Sequence, residues 1–140
     1  MEQMNSKKTN KLYNLPEHKG RQGNLQLLRV LSTPEYLKID FGYYATGYYK
    51  RGGWVKMDKD TVVRDTKKGK EYKLIDTVNI PIAPAELDFN TSHDWLYFSL
   101  IFAPIPSSTK VIDVIESDPG EPTDFNLYAI ELSNPILIKK

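Results

Sequence analysis

Every apolar run in this chain is short, and nearly every one is stopped by glycine, proline or a polar turn. Residues 25–31 (LQLLRVL) sit between Gly23 and Ser32-Thr33-Pro34, and Tyr36, Leu37, Ile39 and Phe41 form a second run ended by Gly42. Trp54, Val55 and Met57 follow the Gly52-Gly53 break. Thr61, Val62 and Val63 lead into the polar turn Asp65-Thr66-Lys67-Lys68-Gly69, with Tyr72, Leu74 and Ile75 on its far side, the pattern of a hairpin. Residues 95–102 (WLYFSLIF) are aromatic and aliphatic, and Pro104 and Pro106 end them. Val111, Asp113 and Ile115 alternate with Ile112 and Val114; a turn at Asp118-Pro119-Gly120 follows, and Phe125, Leu127, Tyr128, Ile130 and Leu132 form the last run before Pro135. Residues 77–90 contain Pro81 and Pro84, which cannot donate to a ladder, and predict an extended crossover with a short helical turn at 84–87. Such runs are strands rather than helices. About seven of them with no long amphipathic stretch predict an all-β chain, an immunoglobulin-like two-sheet antiparallel sandwich.

At 140 residues the chain fits one domain. Residues 1–23 are polar and basic and lack periodicity, so they predict a flexible arm in which Leu12, Tyr13 and Leu15 could act as tethers. Residues 24–134 make the sandwich, and 135–140 a C-terminal tail. There are no cysteines, which excludes disulfides, thiolate metal sites and cysteine nucleophiles, so packing alone must hold the core. No apolar run approaches the ~20 residues needed to span a bilayer as a helix. The first twenty residues have no apolar segment of the signal-peptide kind, which predicts a cytoplasmic protein, or an exported one whose signal has been trimmed.

The net charge of +1 conceals a segregation. Residues 1–23 carry five basic groups against two acidic ones, residues 50–73 nine against four, and residues 86–134 one against nine. If these stretches occupy different faces, the molecule has one basic and one acidic surface; the alternative is solvated turns that differ in sign.

Several stretches carry a resemblance. They are residues 61–65 (TVVRD) with 69–74 (GKEYKL), then 80–82 (IPI), then 98–106 (FSLIFAPIP) leading to 109–116 (TKVIDVIE), and finally 125–132 (FNLYAIEL). Together, over about residues 25–132, they resemble the small immunoglobulin-like domains found in many proteins of Bacteroidota-type bacteria, often exported. This chain departs from that pattern at Val111, Ile112 and Val114, where aromatics are usual, and at Ala129, where glycine is common. The resemblance implies a β-sandwich and brings no catalytic motif with it; fold alone does not fix function.

The segment most suited to recognition is residues 41–54 (FGYYATGYYKRGGW). It sets Tyr43, Tyr44, Tyr48 and Tyr49 beside Lys50, Arg51 and Trp54, with glycines between them. Successive strand side chains point to opposite faces, so about half of these rings must lie outside the core or in a loop. Tyrosine, arginine and tryptophan dominate binding hot spots. These seven residues are therefore the candidate contact set for a protein partner, with cross-strand aromatic packing as the competing explanation. The leading expectation is a non-catalytic interaction module, with the basic 50–73 stretch steering an acidic partner.

Other readings are weaker. Lys50, Arg51, Lys56, Lys67, Lys68 and Lys70 beside aromatic rings would suit a single-stranded nucleic acid, yet the acidic half would repel a long polyanion. A carbohydrate ligand, or self-association through an exposed edge strand, would also suit such a domain. Asp113, Glu116, Asp118, Glu121 and Asp124 could gather round a hard cation, but their spacing fits no calcium loop and Pro119 and Pro122 favour a solvated turn. His18 and His93, the two histidines, fall in the arm and in a polar turn. No nucleophile elbow, phosphate loop, dinucleotide fingerprint or zinc-protease motif occurs, and no cofactor is expected.

Overall fold

The computed structural model describes residues 9–14, 25–44, 54–55, 59–80, 87–88, 95–116 and 126–139. These form eleven strands: β1 (Thr9–Asn14), β2 (Leu25–Ser32), β3 (Leu37–Tyr44), β4 (Trp54–Val55), β5 (Val62–Asp65), β6 (Glu71–Val78), β7 (Leu87–Asp88), β8 (Trp95–Phe102), β9 (Val111–Ile115), β10 (Leu127–Glu131) and β11 (Ile136–Lys139). None of the described residues is helical. The all-β expectation holds.

β3 and β8 are the centre. They pair antiparallel without a slip, from Leu37 opposite Phe102 to Tyr44 opposite Trp95. Alternation sorts their side chains: Leu37, Ile39 and Phe41 on β3 and Phe98, Leu100 and Phe102 on β8 are buried in one core. Phe41 and Phe98 oppose each other directly and stack with ring centroids 5.1 Å apart. Lys38 and Asp40, which alternate with them on β3, belong to the opposite face.

Two short turns show why the neighbouring hairpins close. After β2, the Thr33 hydroxyl accepts hydrogen bonds from the amides of Glu35 and Tyr36 and donates to the Tyr36 carbonyl. Between β5 and β6, the buried Asp65 carboxylate accepts from the amides of Lys67 and Lys68, each at 3.0 Å. Gly69 then adopts φ +75°, where a side chain is strained, and donates to the Asp65 carbonyl at 2.7 Å.

Nine strands run in one hydrogen-bonded antiparallel sheet, ordered β10-β9-β5-β6-β8-β3-β2-β1-β11, and β4 and β7 form a separate two-residue ribbon. The expectation of seven strands in two sheets differs from this arrangement in three respects. The arm contributes β1, whose Lys11 to Asn14 pair with β2 while Thr9 to Leu12 pair with β11. Its Tyr13 is buried in the core, and that burial pushes the phenol pKa up. The tail contributes β11. Finally, β6 belongs to both halves of the sheet: Glu71, Tyr72 and Lys73 pair with β5, whereas Leu74 and Asp76 to Val78 pair with β8. A register shift between Leu74 and Asp76 marks the changeover, and a bulge of this kind bends and twists a strand.

β9 and β10 end the sheet on the other side. Their register slips between Leu127 and Ile130, and Ala129 within the slip has φ +55°. Asp113, buried on β9, holds this distortion by accepting the Ala129 amide at 2.8 Å, with the Arg64 guanidinium 3.6 Å away. A glycine would adopt that backbone without strain.

Candidate functional site

The aromatic segment begins at the far end of β3 and returns at β4. Tyr43 pairs with Leu25 on β2 and Leu96 on β8, and its side chain is partly buried against the core. It is therefore one of the rings that alternation sends inward. The backbone of Tyr44 pairs with that of Trp95, and Trp54 pairs with Asp88 in the β4–β7 ribbon. Tyr48, Tyr49, Lys50 and Arg51 lie outside the described residues.

Beside the root of this segment, the structure exposes a face that the sequence reading missed. Tyr97 on β8 sits opposite Gly42 and is 63% exposed. The next row on the same face is polar. Its Arg29, Asp40 and Ser99 lie side by side on β2, β3 and β8, and Val78 of β6 continues the row. The Asp40 carboxylate accepts from the Ser99 hydroxyl and from Arg29 Nε, both at 2.6 Å, and Lys38 Nζ approaches to 3.7 Å. Burial by itself raises the Asp40 pKa, but the hydrogen bonds from Ser99 and Arg29, with the charges of Lys38 and Arg29, outweigh it; the group titrates below its ordinary value. Asn79, at φ +66°, donates its side-chain amide to the Tyr97 carbonyl at 3.2 Å. The missed signal was the alternation inside WLYFSLIF. Its apolar character hides that Phe98, Leu100 and Phe102 face one side while Tyr97 and Ser99 face the other.

The basic residues do not all join this face. Lys67, Lys68 and Lys70 are exposed on the β5–β6 turn, and Lys70 Nζ lies 5.6 Å from the centroid of the Tyr72 ring. That turn lies towards the Phe102 end of β8, since Ala103 donates its amide to the Lys73 carbonyl. The aromatic segment starts at the Trp95 end. At about 3.3 Å per residue, the eight residues of β8 separate the two by more than 20 Å. Lys50, Arg51 and Lys56, the other basic residues of the candidate set, lie outside the described residues.

Of the acidic set, Asp113 serves the β9–β10 bulge, and the amide of Glu116 donates to the Asn126 side chain. Asp118, Glu121 and Asp124 lie outside the described residues, as do His18 and His93. Among the described residues no group of three or more His, Cys, Asp or Glu side chains could hold a metal ion. No helix there is long and apolar enough to cross a membrane. No family model, curated protein or solved structure matches the chain.

Proposed function

We propose that this chain is a non-catalytic interaction module that binds a protein partner through residues 43–54 together with the face at their root. The observation that carries this reading is Tyr97. A large ring, 63% exposed, stands on a central strand that pairs along its whole length with β3, two residues from where that strand meets the end of β3. Ordering a tyrosine on a rigid strand costs little conformational entropy on binding, which is why exposed rings of this kind make good anchors. The polar row of Arg29, Asp40 and Ser99 beside it supplies hydrogen-bonding groups already held in place.

The same reading includes an immunoglobulin-like sandwich as the scaffold. Val63, Ile112, Val114 and Ile130 on one half of the sheet and Leu27, Val30, Leu37 and Leu100 on the other have no exposed surface. They belong to one cluster. A sheet bent at the β6 bulge so that its halves cover each other accounts for both facts, with β6 as the strand shared between two layers.

The test compares stability with capture. Replacing Tyr48, Tyr49 and Arg51 with alanine, and separately Tyr97, should leave the melting temperature nearly unchanged. Both variants should lose the partner that the unaltered chain retains in affinity capture followed by mass spectrometry. A large fall in melting temperature for the triple variant would assign those side chains to packing and remove the proposed contact surface.

A further inference from the structure

The two ends of the nine-stranded sheet are built differently. At β10 the edge is broken by the register slip, by Ala129 in the left-handed region, and by the Ala129 amide already committed to Asp113. Such irregularity protects an edge from further pairing. β11 carries no such device. It pairs with β1 in unbroken register, from Thr9 opposite Lys139 to Leu12 opposite Ile136, and has no second neighbour among the described strands. Its Ile136, Leu137 and Ile138 are 52%, 61% and 41% exposed. A straight apolar edge with open backbone donors and acceptors is a template for another strand.

We propose that β11 pairs with β11 of a second copy of this chain, antiparallel, about a two-fold axis through Leu137. The pattern of the strand argues for this occupant and this direction. With the axis at Leu137, that residue faces its own copy, Ile136 faces Ile138 of the second copy, and Lys139 faces Pro135. Every apolar position meets an apolar one, and the lysines of the two copies go to opposite ends of the seam. A parallel arrangement would set Lys139 against Lys139, a destabilising like-charge pair. The seam also extends an existing row. Ile136 lies opposite Leu12, and Leu12 opposite Leu31, so Ile138 of the second copy would continue an aliphatic line across three strands. This self-complementary pairing is isologous and closes at two copies. Four residues make a short seam, so association should be concentration-dependent rather than obligate. The inference is independent of the surface around Tyr97, which lies four strands away.

The absence of cysteine from the chain makes an introduced thiol the sole reporter. Directly opposed residues hold their Cβ atoms within about 5.5 Å, close to disulfide reach, while diagonal neighbours at roughly 7–8 Å fall outside it. Leu137→Cys should therefore give a covalent dimer under mild oxidation, and Ile136→Cys alone should remain largely monomeric. Mixing Ile136→Cys with Ile138→Cys should give the crossed dimer. In sedimentation, the unaltered 140-residue chain should shift from monomer towards dimer as concentration rises, and Leu137→Glu should weaken that association severalfold. These side chains are exposed, so the variants retain the fold. A chain that stays monomeric at every concentration overturns the proposal, as does equal crosslinking by Leu137→Cys and Ile136→Cys.

Discussion

Asp40 allows the energetics of the outer face to be separated bond by bond. Its carboxylate takes a 2.6 Å hydrogen bond from Ser99, which is only 9% exposed, and another from Arg29, whose side chain is 56% exposed. The bond to Ser99 is charge-assisted and largely out of water, worth about 1.5–3 kcal/mol. The exposed pair with Arg29 is worth about 0–1 kcal/mol, and the longer approach of Lys38 adds less. Asp40→Asn keeps one acceptor for Ser99 but removes the charge, so it should cost about 1–2 kcal/mol. Asp40→Ala strands the Ser99 hydroxyl and should cost about 2–3 kcal/mol. Arg29→Met should cost no more than about 1 kcal/mol. Urea denaturation at neutral pH, with unchanged m values, measures all three. The pH dependence has a definite sign. Because the folded pKa is lowered, the unfolded chain takes up the proton first; the stabilisation is whole above the unfolded value of about 4 and is lost as pH falls through the folded one. The gap between the unaltered chain and Asp40→Asn should therefore narrow in acid. A cost for Arg29→Met equal to that of Asp40→Asn, or a gap that widens in acid, would refute the reasoning.

Three further perturbations test the backbone and core. Ala129→Gly should raise stability by about 0.5–1 kcal/mol, because φ +55° strains alanine by more than glycine loses in entropy; a higher melting temperature checks it. Gly69→Ala should cost about 1 kcal/mol at φ +75° although nothing lies within 4 Å of an added Cβ, and Gly69→Asn should cost less in the same thermal assay. Leu100→Ala, at a fully buried position of β8, should cost about 2–5 kcal/mol by urea denaturation.

Much of the local structure was legible because its causes are local. Residues 95–102 form one strand, as their aromatic and aliphatic character requires. The Asp65–Gly69 turn was readable from its chemistry, since a short carboxylate reaches the amides two and three residues on and glycine takes the left-handed position. Alternation also required some tyrosines of the aromatic segment to turn inward, and Tyr43 does. It could not say which, because that depends on the register of β3 against β2 and β8. The polar sequence of β1 (TNKLYN) gave no strand signal of its own; pairing on both sides and the burial of Tyr13 make it one.

The sequence alone determined that this chain would be strands and turns, through side-chain alternation and the torsional preferences of glycine, proline and aspartate. The tertiary structure decided which strand lies beside which: Leu12 opposite Ile136, β6 shared between β5 and β8, Tyr97 opposite Gly42. Backbone donors and acceptors are chemically alike at every residue except proline, so a strand bears no label for its partner. Pairing is chosen by the arrangement that buries the apolar faces of all the strands at once, and only that choice leaves Tyr97 exposed on β8 and puts β11 last in the order of described strands.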